Sequence, residues 1–334
     1  MYRFRTTAAL VQRTLNRSFS TEAPLPPPTK PSTHTIPAAM KVFDRNVKVI
    51  QRNASALRSD SKTFDYLRDE VADRLVDRLL DIKRRFPKVL DVGSGAGHII
   101  KYVDKDMMDH LVQLDSAEKM LYRDKNETYE VSTERIHADE EFLPFHEDTF
   151  DCVLSSMSMH WVNDLPGTLI QIRKCLKPDG AFLGAMVGGE TLYELRTSLQ
   201  LAQVEREGGV APHVSPMADL RDLGSLLSRA GLTLTTLDTD EIVVRYPSMY
   251  ELIQDLSAMG EGNAIFNRTG CLTRDTIDAA AEIYKSVYGN EDGSIPATFQ
   301  ILYMIGWKPD PSQPKPAKRG SGEVSLKTLE SPSN

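Results

Sequence analysis

The sequence predicts an α/β fold in which helices cover both faces of a central, mainly parallel sheet. Three observations carry this. Short apolar runs alternate with segments of helical periodicity between residues 64 and 186, the arrangement of repeated strand–helix–strand units. The run ending at Asp91 passes into a loop with glycine at every second position, Gly93, Gly95 and Gly97. Polar clusters at Asp91, Asp115, Asp139 and 155–160 each fall at the end of an apolar run. In such sheets those ends share one edge, where ligands bind.

The elements follow in order. Phe43, Val47, Ile50, Ala54 and Leu57 recur at helical spacing, with Asp44, Arg45, Lys48 and Arg52 on other faces. This helix either simply starts at Phe43-Asp44-Arg45 or roofs the pocket downstream. Phe64, Leu67, Val71, Leu75, Leu79 and Ile82 form a second stripe, stopped by Pro87. Lys88–Asp91 is the first strand, and apolar, helix-compatible residues follow Gly97. Leu111–Asp115 is the second strand, and Ser116 is placed to cap the helix after it. Residues 135–138 and 149–156 give two more strands. Pro166 opens a helix to Leu176, Lys177-Pro178-Asp179-Gly180 reads as a turn, and 181–186 is a fifth strand. Helices are expected at 191–207, 217–230 with Gly231 as C-cap, 250–259 and 274–288. One or two strands fall at 233–244, and a last strand at 297–305. Gly260, Gly262, Asn263 and Gly270 mark a flexible loop.

The glycine loop is the first functional signal. Glycine permits positive φ and close approach of a ligand, and a following helix would present free N–H groups. Asp115 lies 24 residues after Asp91, where a carboxylate suits two ribose hydroxyls. The third glycine of the dinucleotide fingerprint is replaced by His98.

Composition sets the bounds. At 334 residues, 40% hydrophobic and 26% charged, the chain is ordinary for one large or two small globular domains. No apolar run is long enough to span a membrane. A net charge of −7 argues against nucleic acid as the main partner. Three scattered cysteines argue against a disulfide framework or a structural zinc site. Residues 1–22 carry Arg3, Arg5, Arg13 and Arg17 with no acid before Glu22, the composition of a mitochondrial transit peptide. Residues 23–37 are a Pro-rich linker, 38–87 the N-terminal helices, and 308–334 a polar tail expected to be disordered.

The spacing Asp91-x-Gly93-x-Gly95-x-Gly97, with Asp115, Asp139, Asp151 and Leu176–Gly180, resembles the class I S-adenosylmethionine-dependent methyltransferase core. Phe43-Asp44-Arg45 and Met157–Pro166 resemble the malonyl-carrier-protein methyltransferases of biotin synthesis. A closer resemblance, over roughly 40–307, is to the mitochondrial arginine hydroxylase family of complex I assembly factor 5. It rests on 138–145, 188–196, 205–209, 238–242 and 303–307. This resemblance implies a Rossmann-like fold with a seven-stranded sheet. Residues 88–187 would form the cofactor-binding core, and 188–307 a helical cap that also completes the sheet. It further implies S-adenosyl-L-methionine as cofactor and a protein arginine on a core matrix-side subunit of complex I as substrate. No metal site is expected, since Asp139 is better used at the adenine and the chain lacks the run of short strands of a barrel oxygenase. The implied location is the matrix side of the inner membrane, with peripheral association.

Residue roles follow from the same resemblance. Gly93, Gly95 and Gly97 would approach the methionyl part of the cofactor, and Asp91 its ammonium. Asp115 would take both ribose hydroxyls, Met120 would pack on adenine, and Asp139 and the Glu140 amide would read its edge. Ser155 and Ser156 would border the sulfonium, and Arg45 would bind the methionyl carboxylate. His160 and Trp161 would face the acceptor. Apart from the resemblance, the position of Glu190 directly after the fifth strand, on the cofactor edge, makes it the expected clamp of the substrate guanidinium, joined by Glu261 from the glycine-rich loop. Each has a plainer use: Met120 and Trp161 as core, Asp139 and Asp151 as loop caps, His160 as a hydrogen-bonded loop residue. Hydroxylation needs a redox centre, and His137-x-Asp139 with His160 or His213 is the one iron-like spacing. Two other functions stay open, a small-molecule or carrier-protein O-methyltransferase and a non-catalytic assembly chaperone.

Overall fold

The computed structural model describes residues 41–315, excepting 269 and 271, together with residue 320. The transit peptide, the Pro-rich linker and most of the polar tail lie outside the described residues. Seven strands form one sheet: β1 (Phe86–Val92), β2 (Met108–Asp115), β3 (Ser132–His137), β4 (Phe150–Ser156), β5 (Leu176–Val187), β6 (Thr233–Tyr246) and β7 (Ile295–Trp307). Their order is β3-β2-β1-β4-β5-β7-β6. The first five are parallel, and β7 runs antiparallel to both β5 and β6. Chain direction across the sheet reverses between β1 and β4, so the crevice beyond their carboxyl ends is the expected ligand position.

Strands buried on both faces read as continuous apolar runs, and neighbours in β1 serve opposite layers. Val89 joins a core with Leu67, Val71, Leu75 and Leu79 of α2 (Tyr66–Leu80). The same layer takes α5 (Tyr193–Glu207), α7 (Met249–Ala258) and α8 (Arg274–Tyr288). Leu90 joins the other core, with Leu169 and Ile172 of α4 (Leu165–Cys175) and Leu223 and Leu227 of α6 (Leu220–Ala230). Cys152 and Cys175 are buried free thiols.

Several local expectations change. No α-helix follows the glycine loop: only a three-residue 3₁₀ turn, Ile99–Lys101, fits before β2. The loop therefore offers no helix N-terminus. The helix after β2 is a single turn, α3 (Glu118–Leu121), and Ser116 does not cap it. The Lys177–Gly180 turn is absorbed into β5, with Asp179 at φ 58° and a register shift against β4.

The largest change concerns α1 (Arg45–Ala56). Its buried residues are Lys48, Arg52 and Ser55, whereas Ile50 and Leu57 are 66% and 73% exposed. Of the expected apolar stripe, Ile50, Ala54 and Leu57 face out while Phe43 and Val47 pack against Trp161 and Ile265, and the charged face is inside. Arg45, Lys48 and Arg52 share one face by helical spacing, and the acids beneath them explain the inversion. Asp44 caps the helix, its Oδ1 accepting from Val47 N at 3.2 Å. Asp44→Ala is expected to cost about 0.5–2 kcal/mol in urea unfolding; an unchanged midpoint and slope would show that α1 is held without its cap.

Candidate cofactor cleft and acceptor cavity

The glycine loop takes its shape from positive φ at Gly93, Gly95 and Gly97 (71°, 57° and 88°). Side chains there would collide: a Cβ on Gly93 would lie 1.9 Å from Ser158 Oγ, and one on Gly97 2.6 Å from Gln113 Nε2. Asp115, at the tip of β2, is fully buried. Its Oδ2 accepts from Gly95 N at 2.9 Å and its Oδ1 from Ala117 N at 2.7 Å. The loop is thus tied to the acid that the sequence placed at a ribose. Around it lie buried side-chain atoms with no hydrogen-bond partner in the protein. They are both oxygens of Asp91, Ser94 Oγ, His98 Nε2, the Gln113 amide, Ser156 Oγ and Ser158 Oγ. Orphaned buried polar atoms are costly, and their convergence on the carboxyl ends of β1 and β4 marks a site that awaits polar groups.

The cleft is closed by α1. Arg52 Nη1 lies 3.6 Å from Asp115 Oδ2 and 3.5 Å from Glu140 Oε1. Arg45 Nη2 donates to Asp139 Oδ1 at 2.6 Å and pairs tightly with Glu140. Arg45 therefore stands at the two residues expected around adenine, rather than beside Asp91. Burial pushes the Glu140 carboxyl up, but Arg45 and Arg52 overcome it and hold it below its ordinary range. Its side chain also accepts from Ser116 Oγ at 3.2 Å. The remaining cleft, lined by Arg52, Arg68, His98 and Met120 over the glycine loop, encloses about 10 Å³, room for one water at most. Met120 packs there against Ala96 and Ala117.

Ser155 and Ser156 divide the expected role between them. Ser155 Oγ donates to Val92 O at 2.8 Å and pins β4 to β1, whereas Ser156 lines the cleft. Asp151 is structural, accepting from Lys88 N and Lys177 Nζ.

A second cavity of about 290 Å³ adjoins the cleft, with Met157 lining both. Its walls are mostly aliphatic, including Leu67, Leu192, Leu195 and Leu256. Its polar end holds His160, Trp161 and Glu261. Trp161 Nε1 donates to Glu261 Oε2 at 2.6 Å, and Arg68 Nη2 donates to Glu261 Oε1 at 2.5 Å. His160 Nε2 stands 3.6 Å from Oε2, and His160 Nδ1 is buried without a partner. Burial pushes Glu261 up, but His160, Lys48 and Arg68 hold it well below its ordinary value. Burial also lowers His160, against the opposing pull of Glu261. Lys48 Nζ sits 3.4 Å from the Trp161 ring centroid and donates to Gly260 O and Gly262 O at 3.0 and 2.8 Å. Burial pushes its amine down to about 7.

Glu190 is not part of this group. It is exposed, and its neighbours Thr191 and Leu192 line the cavity instead. The structure therefore does not bring Glu190 and Glu261 together: of the two, only Glu261 lines the cavity. The His137-x-Asp139 spacing also assembles nothing: His137 is exposed on Ser116 O, Asp139 pairs with Arg45, and His160 with Glu261. Among the described residues, only Asp65, Asp69 and His98 cluster at metal-like distances. There Lys101 and Arg123 already neutralise the two carboxylates.

Sequence reasoning missed Lys48, Arg52, Arg68, Gln113 and Asn163. The three α1 cations at 45, 48 and 52 carried a partial signal, a cationic face apart from an apolar one, without saying which of the two is buried. Asn163 closes the roof: its Oδ1 accepts from Val42 N and Phe43 N at 2.9 and 2.8 Å.

Comparison with known proteins gives the family. Residues 64–237 match the family model described as "Methyltransferase domain". The zebrafish (Danio rerio) protein named "Arginine-hydroxylase NDUFAF5, mitochondrial" is 57% identical over 87% of this chain and 90% of its own length. The human protein of that name is 54% identical over 90% and 86%. The chain belongs to the NDUFAF5 arginine-hydroxylase family. Its sheet is that of the methyltransferase superfamily to which this family belongs. A malonyl-[acyl-carrier protein] O-methyltransferase from Halorhodospira halophila is more distant, at 31% identity over 81% of this chain and 90% of its own.

Asp91 generates the test of the cleft. Burial, then the charge of Asp115, raises its pKa well above the ordinary carboxylate value. The native protein keeps a proton that the unfolded chain loses near pH ~3.9, so stability falls as pH rises from there through the raised pKa. Asp91→Asn should remove that part of the slope and raise Tm at pH 7. An unchanged pH profile would show that Asp91 has a partner in solution.

Proposed function

We propose that the chain is an S-adenosyl-L-methionine-binding enzyme that hydroxylates an arginine on a core matrix-side subunit of complex I. One observation carries the reading: membership of the arginine-hydroxylase family at 57% identity over 87% of the chain. The protein is mitochondrial, as the names of its relatives state. It works on the matrix side of the inner membrane as a peripheral protein. No helix among the described residues is long and apolar enough to cross a membrane.

The residue types fit the cofactor, which enters as α1 draws back from a cleft that α1 and Arg52 otherwise fill. Asp91, buried with both oxygens unpartnered, suits the methionyl ammonium. Gly93, Gly95 and Gly97 let the backbone come close. Asp115 suits the ribose hydroxyls by charge-assisted hydrogen bonds, with Arg52 yielding its place there. Met120 suits the adenine face, and Asp139 and the Glu140 amide its edge. When bound, the cofactor supplies an electrophilic methyl group on a sulfonium. Around it, Trp161 and Lys48 shut water out, and the aliphatic cavity holds the substrate side chain against Met157. The relatives' hydroxylation requires an oxidant beyond what these side chains supply.

The carrier-protein methyltransferase reading ranks second, since that relative stands at 31% identity. Mass spectrometry of matrix-side complex I core subunits separates the readings, comparing wild-type cells with a deletion strain. A one-oxygen gain on arginine, present only with the gene, is the expected result. A one-methyl gain would make it a methyltransferase. No modification, with assembly still failing, would make it a chaperone. For the cofactor, Asp115→Ala should weaken S-adenosylhomocysteine binding roughly ten- to a hundredfold in calorimetry. Unchanged affinity in the folded variant would remove Asp115 from the site.

A further inference from the structure

Arg68 bridges the two sites. It stands on α2, lines the glycine-loop cleft, and sends its Nη2 to Glu261 Oε1 and to Met259 O, at 2.5 and 2.9 Å. Glu261 lines the acceptor cavity. One guanidinium inside the protein therefore already occupies a carboxylate in the space meant for another. That carboxylate is otherwise well prepared: Trp161 Nε1 fixes Oε2, and His160 Nε2 stands 3.6 Å from the same oxygen. An ionised carboxylate accepts about four hydrogen bonds in all, and a guanidinium offers a flat fork of five donors. The aliphatic walls of the cavity match the three-carbon stem of an arginine, which buries readily beside its charged head.

The geometry points to Glu261 as the acceptor of the substrate guanidinium, with Arg68 holding that place until an anion in the cofactor cleft draws it away. This rests on the reading of the chain as an arginine-modifying enzyme that binds S-adenosylmethionine, whose methionyl carboxylate is such an anion. Arg68 is always charged, so it cannot leave Glu261 without another negative partner. Once it turns to the cleft, Glu261 is left with Lys48 and a neutral His160. An incoming guanidinium restores the ion pair. Binding is therefore ordered, cofactor before arginine, and the coupling is reciprocal.

The test is calorimetry with a blocked arginine amide and its citrulline counterpart, with and without S-adenosylhomocysteine. The wild type should prefer arginine roughly tenfold or more, and only with the nucleotide present. Glu261→Gln, which keeps the shape, should lose the preference while binding the nucleotide more tightly, because Arg68 is no longer held at the Glu261 carboxylate. Arg68→Met and Arg68→Gln should bind the arginine probe without the nucleotide. Discrimination that survives Glu261→Gln, or its absence from the wild type, overturns the proposal, as does a continued need for nucleotide in both Arg68 variants. Arginine modification in cells separates the two levels. A modified arginine in cells carrying Glu261→Gln sinks this inference and leaves the enzyme reading standing. No modified arginine even in the wild type sinks the enzyme reading itself.

Discussion

Everything at the site depends on the contact between the cationic face of α1 and the acids at the sheet's carboxyl edge. Arg45 and Arg52 meet Asp115, Asp139 and Glu140, and Lys48 caps the Gly260 and Gly262 carbonyls over Trp161. Asp115, Glu140 and Glu261 are buried or nearly so. Burying carboxylates without counter-charges costs several kcal/mol per ion. The cations of α1, with Arg68, remove that penalty and in return fix the helix with its polar face inward. Each pair also stands where a polar group of a ligand is expected, so the same contacts that close the site are the ones a ligand exchanges.

That exchange gives the two spaces their relation. The cleft above the glycine loop and the aliphatic cavity meet at Met157, and the residues between them are charged. Arg68 faces the cleft and holds Glu261. Arg52 faces the cleft and holds Asp115. The cavity itself is mostly apolar, with Glu261, His160 and Trp161 together at one end and Thr191, His213, Ser215, Ser257 and Asn263 elsewhere in its lining. A substrate side chain with an apolar stem and a donor-rich head is matched by such walls, and its head would come to rest beside the cofactor.

The sheet was legible in the sequence because its strands are buried on both faces and end on acids. Val89–Asp91 and Leu111–Asp115 could be read with their polarity and their edge. Asp91, Asp115 and the three glycines could be read with them. The interior of α1 could not. Periodicity shows that Ile50 and Arg52 lie on different faces, but it does not say which face meets the protein. The acids that decide this lie 63 to 95 residues away, and the carbonyl that takes Lys48 lies 212 residues away. Ser155 and Ser156 were inseparable for a related reason: neighbouring strand residues point to opposite sides, and only the register with β1 shows which one is consumed by Val92. Glu190 looked better placed than Glu261 because it directly follows β5. The backbone after Gly188 carries it outward, while the loop after α7 folds Glu261 in.

The central claim is that α1 and the loop at 259–265 form one cooperative lid, joined to each other by hydrogen bonds to loop carbonyls and held to the sheet edge by ion pairs that a ligand in the cleft replaces. Hydrogen exchange on the wild type and on Arg52→Met tests it most directly. The account predicts that Arg52→Met lowers amide protection in α1 and in 259–265 together, leaving α8 unchanged, and that S-adenosylhomocysteine raises protection in both segments of the wild type in parallel. Loss confined to α1, or protection by the nucleotide that stops at the glycine loop, would contradict it.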